Sequence, residues 1–328
     1  MTFKRTLHKR TLPTVGLLMA GTLALAACGS GGDAEASDDQ SITLGFPGTI
    51  GPTDTPIIAA LQSLEDDGWE TEYIEFDSPD VQTQALMGGD INVASMGPAT
   101  VMAANESGAE LSMVGNNNIL DYLIVASADV ATCADLDGKT VAYHSEGSTS
   151  TAHLRRYLAD TCPDASPEFV VISGSGNRVT ALLDGQIDGT IVRIEDWMSV
   201  DVDPSVAHVL DGLSDTQSEL LTQTIVIDGK NSEQAGPAAA ALLAALDEQF
   251  AAVREDPAAF AETAAEILGA EATEVEPVLA ALVEDGTFPE TSDLSADSVD
   301  ATLAFYQEAG TVSDSLTADQ VADLEIAR

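Results

Sequence analysis

A twelve-residue pattern that occurs twice constrains the fold more than any other feature of the chain. "ALMGGDINVASM" (85–96) and "ALLDGQIDGTIV" (181–192) share Ala-Leu, an apolar residue, and then Gly-x-Ile followed by Asn or Asp. In each copy the pattern predicts a helix that ends near the glycine and a strand that starts after it. The repeat therefore predicts two equivalent α/β units.

Strand and helix patterns alternate around both copies. Around the first copy we predict strands at 42–46, 70–75, 91–95 and 111–115 and helices at 56–66, 80–87 and 98–106. Around the second copy we predict strands at 140–144, 168–172 and 189–192 and helices at 150–159 and 178–184. Such alternation is typical of mostly parallel sheets with helices on both faces.

The chain is too long for one average domain, and its apolar passages suggest where it divides. Asp121–Ser127 and Leu221–Ile227 are extended apolar passages between the two units, so we predict that they are hinge strands. From Gln234 onward the sequence turns to alanine-rich helices with apolar stripes. We expect these helices to pack on lobe I, with a cleft between the lobes. The expected boundaries are 41–124 and 222–328 for lobe I and 125–221 for lobe II.

The first 40 residues have the pattern of an export signal and a tether. Four Lys and Arg precede the uncharged stretch 11–27, which predicts a signal peptide over residues 1–27. Leu25-Ala26-Ala27-Cys28 resembles the bacterial lipoprotein box, in which the cysteine is lipidated. Residues 28–40 are rich in Gly, Ser and Asp and predict a flexible tether. The alternative is an ordinary signal peptide that is followed by a cysteine. The prediction is an exported protein, anchored by lipid to the outer face of the cytoplasmic membrane.

The charge of the chain excludes two classes of partner. Without residues 1–27, which hold four of the 12 Lys and Arg and none of the 55 Asp and Glu, the formal charge would be −47. A surface this acidic repels nucleic acid and anionic lipid head groups, so we expect neither as a partner and contact with the membrane through the anchor only. A saline habitat and a highly soluble secreted protein explain the excess of carboxylates equally well.

Two cysteines remain once Cys28 is lipidated. An even pair outside the cytoplasm predicts a disulfide between Cys133 and Cys162 rather than two free thiols. No neighbouring His or Cys completes a zinc motif, and the spacing of His144, Glu146 and His153 matches no metal site. We expect no metal and no cofactor.

The loops after the strands mark the expected ligand site. In open α/β sheets the ligand crevice lies beyond the carboxyl ends of the strands. At one such end, "HSEGSTSTAHLRRYL" (144–158) gathers hydroxyls where a helix begins, and such a start attracts anions. The alternative is that Ser148 or Ser150 only caps the helix. We predict that Ser148, Thr149 and Ser150 bind a solute, with Thr49 or Asn116 opposing them from the first lobe.

Two arginines and one glutamate complete the predicted site. "GSGNR" (174–178) supplies Arg178 as a charged clamp, and the repeat aligns Arg193 with Gly97, directly after a strand. Glu195 would lie beside Arg193, with Asp54 and Glu146 near the same cleft. The alternative for Arg193 is a structural salt bridge to Glu195 or Asp196. No nucleophile elbow, Walker loop or zinc-protease motif is present, so we expect no catalytic residues.

Several segments resemble one known family. "ADLDGKTVAYHSEGSTSTAHLRRYL" (134–158), the two copies of the repeat and "ATLAFYQEAGTVSDSLTADQV" (301–321) are similar to segments of the solute-binding proteins for nitrate, alkanesulfonate, taurine and thiamine-precursor import. The resemblance implies a type-2 periplasmic-binding fold, in a monomer that hands a small-molecule solute to an ABC permease and its ATPase subunits. A lipid anchor would keep such a receptor beside its permease.

The resemblance leaves the solute open. Many relatives have Trp-Asp-Pro where this chain has Arg193-Ile194-Glu195, and the loop "FPGTIGPTDTP" (46–56) differs from the shorter form of sulfonate binders. Carboxylates beside arginines predict a polar or zwitterionic solute. Taurine or another small sulfonate fits, an aminopyrimidine thiamine precursor is the alternative, and nitrate fits less well. A sensor-associated binding protein and an enzyme of the same fold are the other classes that we considered.

The anchor prediction can be tested directly. Replacing Cys28 with Ala removes the only sulfur that the lipid could modify at this position, so we expect release into the medium or an unprocessed precursor. Membrane fractionation with intact-mass measurement decides the matter. A Cys28→Ala protein that stays on the membrane at its mature mass would contradict the anchor.

Overall fold

The chain builds two sheets. A computed structural model describes residues 3–6, 40–146, 148–214, 217 and 219–326. The first sheet has the strand order β1-β3-β2-β4-β11-β5. Its strands are Phe3–Thr6 (β1), Ser41–Phe46 (β2), Glu70–Glu75 (β3), Val93–Met96 (β4), Leu111–Asn118 (β5) and Gln223–Asp228 (β11). The remainder of the predicted signal peptide, Cys28 and nearly all of the tether lie outside the described residues.

The second sheet has the order β10-β6-β9-β7-β8. Its strands are Tyr122–Ser127 (β6), Thr140–Tyr143 (β7), Glu168–Val171 (β8), Gly189–Arg193 (β9) and Ala207–Gly212 (β10). Below, the first lobe means 40–118 with 223–326, and the second lobe means 122–212. The chain crosses between the sheets at 119–121 and again at 213–222.

Ten α-helices lie in the described residues. The first lobe has α1 (Thr55–Asp66), α2 (Pro79–Gly88) and α3 (Pro98–Glu106), and the second has α4 (Thr149–Thr161), α5 (Ser175–Leu183) and α6 (Ile194–Met198). The C-terminal helices are α7 (Ser232–Glu255), α8 (Pro257–Leu268), α9 (Ala272–Asp285) and α10 (Ala296–Glu308). Proline stands in the first turn of α1 and α3, where its fixed φ suits a helix and no N–H is needed.

The internal repeat corresponds to a repeat of topology. The unit β2-α1-β3-α2-β4 has the strand order β3-β2-β4, and β7-α4-β8-α5-β9 has the order β8-β7-β9. The glycines of the two copies, Gly89 and Gly185, have φ of 76° and 68° after the helix. This left-handed conformation costs glycine little, so it turns the chain from the helix into the next strand. The predicted pair of α/β lobes is confirmed.

The sheets are mixed rather than mostly parallel. Within β3-β2-β4 and β8-β7-β9 the strands are parallel, but β11 is antiparallel to β4 and β5, and β6 is antiparallel to β9 and β10. The two antiparallel strands are the passages that the sequence predicted as hinges. Each of these two strands follows a crossing between the sheets and runs antiparallel to the last strand of the repeated unit. Each sheet is therefore mixed.

The C-terminal helices pack on the first lobe, as predicted. Buried side chains of α7 and α9, such as Phe250 and Leu279, share one core with Ile57 of α1. On the other face of the sheet, Tyr306 of α10 packs in a core with Met102 of α3. Each fully buried apolar side chain contributes about 1.5–3 kcal/mol, so these helices are part of the lobe. No helix among the described residues is long and apolar enough to cross a membrane.

A disulfide joins Cys133 to Cys162 in the second lobe, the pair that the sequence predicted. The two Cα atoms are 5.7 Å apart, and the cysteines are 29 positions apart in the chain. Cys133 begins a short 3-10 turn before β7, and Cys162 follows α4 directly. The bond therefore ties both ends of the first β-α segment of this lobe.

Removing the disulfide should destabilise the protein. Closing a loop of this length lowers the entropy of the unfolded chain, so a Cys133→Ser, Cys162→Ser double variant should lose roughly 3–4 kcal/mol of unfolding free energy. Urea denaturation measures the loss, and reductant should reproduce it in the wild type but have no effect on the variant. Two titratable thiols in unfolded, non-reduced protein would contradict the bond.

Candidate functional site

Loops at the carboxyl ends of strands from both lobes meet in one place. The loop between β2 and α1 contacts Glu195 of α6, which follows β9. The hydroxyl oxygen of Thr149, at the start of α4, lies 2.7 Å from the position that a Cβ on Gly97 would take. Only glycine at position 97 allows this approach. The loops in which the sequence predicts the ligand crevice thus lie where the two lobes touch.

Arg193 is the centre of this contact. Its Nε donates to Oδ2 of Asp121 at 2.8 Å, and one terminal nitrogen lies 2.6 Å from Oε1 of Glu195. Its main-chain N–H donates to the hydroxyl of Ser175. Burial lowers the pKa of Arg193, but Asp121 and Glu195 more than compensate, and the pKa stays well above its ordinary value. The guanidinium is therefore charged at every physiological pH.

Glu195 connects the lobes. Its Oε2 accepts the main-chain N–H of Thr53 at 2.9 Å and the Thr53 hydroxyl at 2.7 Å. Both side chains are buried. A Cβ at Gly51 would lie 2.7 and 2.8 Å from the two carboxylate oxygens, so the carboxylate packs on the bare Cα of that glycine.

Asp54 adds a third carboxyl to what we call the cleft cluster: Asp54, Asp121, Arg193 and Glu195. The main-chain N–H of Gly51 donates to Asp54 at 3.0 Å. Burial raises the pKa of Asp54 to about 6, with a contribution from Glu195, while Arg193 opposes the shift. Burial also raises the pKa of Asp121, again against the attraction of Arg193. The cluster has more carboxyls than one guanidinium neutralises, and Asp54 therefore keeps its proton to a higher pH than an ordinary aspartate.

The hydroxyls at the start of α4 lie at the same junction. Ser148 is the N-cap by position, but its hydroxyl donates to the carbonyl of Ser145 at 3.1 Å and lies 2.8 Å from the hydroxyl of Thr151. Its side chain accepts no N–H of the helix among the described contacts. Ser150 is buried, and Thr149 faces Gly97. Simple capping therefore does not explain Ser148.

The end of β5 supplies buried amides. Asn116 and Asn118 are both buried, and no described residue donates to the side-chain Oδ1 of either. Asn117 on the opposite face donates to the hydroxyl of Ser95 at 3.2 Å. Buried acceptors without a donor cost free energy unless water or a ligand reaches them.

Two of the predicted residues lie apart from the cluster. Arg178 is almost fully buried, and it donates to the carbonyls of Ile191 at 3.0 Å and Ile172 at 3.1 Å. These contacts brace the second sheet, so Arg178 is a structural arginine in this arrangement. Thr49 is exposed, and Thr53, four residues later, makes the contact with the opposite lobe.

The family profile described as NMT1/THI5 like matches residues 55–260, more than half of the chain. The chain belongs to the NMT1/THI5-like family. The matched region contains the cleft cluster except Asp54. A search of the curated proteins finds no significant match.

Solved structures share the two-lobed fold. The ligand-binding component of an ABC-type import system from Staphylococcus aureus, solved with zinc, superposes with a TM-score of 0.70 at 14% identity, over 88% of this chain and 98% of that one. The alkanesulfonate-binding protein SsuA from Xanthomonas axonopodis pv. citri gives 0.68 at 22% identity, over 87% and 99%. The nitrate-binding protein NrtA from Synechocystis PCC 6803 gives 0.66 at 14% identity, over 88% and 87%. The chain therefore has the fold of periplasmic solute-binding proteins of ABC importers.

His153 and His144 have structural contacts in this family member. His153 is fully buried, its Nδ1 lies 2.5 Å from Oε1 of Gln217, and its ring stacks on Phe305. Burial lowers its pKa to about 4, so the ring is neutral at pH 7. His144 accepts the N–H of Gly174 at 3.2 Å. Among the described residues, no group of three His, Cys, Asp or Glu is placed to hold a metal ion.

Sequence reasoning missed Thr53 and Asp121. Thr53 lies in the loop 46–56, but the sequence does not show which hydroxyl of "TIGPTDT" turns inward. Asp121 is the single charge in the apolar run "NILDYLIV", and this isolation was the available signal. A lone carboxylate in an apolar run needs a cationic partner, since its desolvation is otherwise costly.

The raised pKa of Asp54 predicts a dependence of stability on pH. Because the folded pKa of about 6 lies above the ordinary 3.8, the unfolded chain releases this proton first, and stability falls as pH rises from about 4 to 6. Asp54→Asn should remove the penalty and be more stable than the wild type at pH 7.5, by roughly 1–3 kcal/mol. The difference should vanish near pH 4. Urea denaturation across this range measures it, with the exposed Asp314→Asn as control; equal curves for wild type and Asp54→Asn would contradict the shift.

Proposed function

We propose that this protein is the extracytoplasmic, lipid-anchored solute-binding subunit of an ABC importer. It captures one small polar organic solute between its lobes and presents it to the permease, which the ATPase subunits drive. The proposal is supported by the family, by the shared fold of import-system binding proteins, and by polar groups of both lobes that converge at the strand ends. These polar groups suit the binding and release of a solute, a function that needs no covalent chemistry.

The charge of the cleft cluster is the basis for the proposed class of solute. Arg193 is the cluster's only cation, and two of its nitrogens are already paired with Asp121 and Glu195. Asp54 remains as a further carboxyl, and its pKa is raised to about 6. A bare anion would add negative charge where carboxyls already repel one another. We propose a solute whose positive charge or N–H donors meet these carboxyls, and an aminopyrimidine of the thiamine-precursor class satisfies this best.

Taurine is the second candidate. The hydroxyl of Thr149 and the start of α4 offer donors to an anionic group, while the cleft cluster would accept the ammonium group. A zwitterion therefore satisfies both halves of the junction. A simple alkanesulfonate satisfies only one.

Proton release on binding tests the proposed charge of the solute. A cation beside Asp54 lowers the pKa of that carboxyl, so binding near pH 6 should release part of a proton. Calorimetry in buffers of different ionisation enthalpy measures this. An N-methylated aminopyrimidinium, whose own charge is fixed, is the probe, with taurine and ethanesulfonate as the other ligands.

The Asp54→Asn variant is the matched control. It should still fold and should lose the proton release, because Asn cannot titrate, while its affinity for the cation falls by about 1.5–3 kcal/mol, the scale of a hydrogen bond to a charged group. Ethanesulfonate binding tighter than the aminopyrimidinium, with proton uptake, would contradict a cationic solute. Turnover of any ligand would contradict a binding protein.

A further inference from the structure

The carboxylate of Glu195 has the contacts of a bound anion. One oxygen accepts both the N–H and the hydroxyl of Thr53, and the other lies 2.6 Å from a guanidinium nitrogen of Arg193. The carboxylate rests on Gly51, where no Cβ intervenes. Thus a side chain of the second lobe occupies donors of the first lobe.

These donors form a set that suits anions in general. Thr53 lies in the 3-10 turn Pro52–Asp54, which runs directly into the twelve residues of α1. The Thr53 N–H and the dipole at the start of this continuous helical segment favour negative charge, and the Thr53 hydroxyl and Arg193 add directed donors. Sulfonate and carboxylate groups present oxygens of the kind that Glu195 already presents.

We propose that Glu195 is a tethered anion that excludes free anionic solutes from the first lobe and so sets the specificity of the cleft. The inference rests on the proposed function, since it concerns the same cleft. An anion that entered would have to displace Glu195 from Thr53 and leave a buried carboxylate close to Asp121 and Asp54. The loss of the contacts between Glu195 and Thr53 and the repulsion among the carboxylates both oppose the binding of an anion.

Removing the tethered anion should create an anion site. In Glu195→Ala the donors of Thr53 and one nitrogen of Arg193 are released, and the cluster loses one negative charge. We expect methanesulfonate and ethanesulfonate to bind this variant at least tenfold more tightly than the wild type, on the scale of one charge-assisted hydrogen bond. Glu195→Ser serves as a second variant if the alanine protein does not fold.

The Glu195→Gln variant separates the effect of occupying the Thr53 donors from the effect of the negative charge at position 195. Its amide oxygen can still accept from Thr53, so the donors stay occupied although the charge is gone. We expect a gain of sulfonate affinity of less than about threefold. A gain equal to that of Glu195→Ala would overturn the tethered-anion proposal, because charge alone would then explain the exclusion.

Two further variants complete the experiment. Glu110→Ala removes a carboxylate from an exposed ion pair with Lys230 on the first lobe and should leave sulfonate affinity unchanged. Adding Thr53→Val to Glu195→Ala should reverse most of the gain, since it deletes the hydroxyl donor. Melting temperatures confirm that each protein is folded.

The outcomes distinguish this inference from the proposed function. Tight sulfonate binding by the wild type, or no gain in a folded Glu195→Ala or Glu195→Ser protein, overturns the tethered anion. A gain in those variants supports it even if the wild type fails to bind the aminopyrimidinium, in which case only the proposed solute class is wrong.

Discussion

The junction of the lobes depends on one guanidinium held among carboxyls. Arg193 ends β9 of the second lobe, Asp121 lies in the first crossing between the sheets, and Glu195 reaches from α6 to Thr53 in the first lobe. Removing the arginine would leave two buried carboxylates without a counter-charge, a change that commonly costs several kcal/mol. The same ion pairs therefore fix the crossing and position Glu195 against Thr53 at the start of α1. In the proposed function, these charges would also select the solute.

The repeat explains why the junction forms at this place. Each lobe contains a parallel β-α-β-α-β unit, and the loops after its strands leave the sheet at one edge. The crossings then insert β6 and β11 antiparallel beside the last strand of each unit, in the orders β8-β7-β9-β6-β10 and β3-β2-β4-β11-β5. The loops at these two edges contact each other at the junction of the lobes. Gly97 and Arg193 occupy equivalent positions directly before α3 and α6. Gly97 leaves room for the Thr149 side chain, whereas Arg193 supplies the positive charge.

Much of the fold followed from local pattern. The helix at 98–106 and the strand at 70–75 have the bounds that the pattern indicated, because proline, glycine and apolar periodicity mark such elements directly. The direction of β6 and β11 did not follow, since an apolar run has the same appearance in a parallel and an antiparallel sheet. Within the site, Arg193 and Glu195 were expected together, but their salt bridge had been the alternative to solute binding. The expected clamp Arg178 instead donates to two main-chain carbonyls.

The sequence by itself determined the two-lobed α/β fold, the pairing of Cys133 with Cys162 and the loops from which the site is built. These features depend on short-range periodicity, on the number of cysteines and on a repeat visible in the letters. Only the tertiary structure decided that Thr53 rather than Thr49 meets the second lobe, that Asp121 pairs with Arg193 and that Glu195 occupies the donors of the first lobe. Hydrogen bonds and ion pairs act over about 3 Å between residues as far apart in the chain as 53 and 195. Burial then sets their strength, and burial is a property of the folded chain alone.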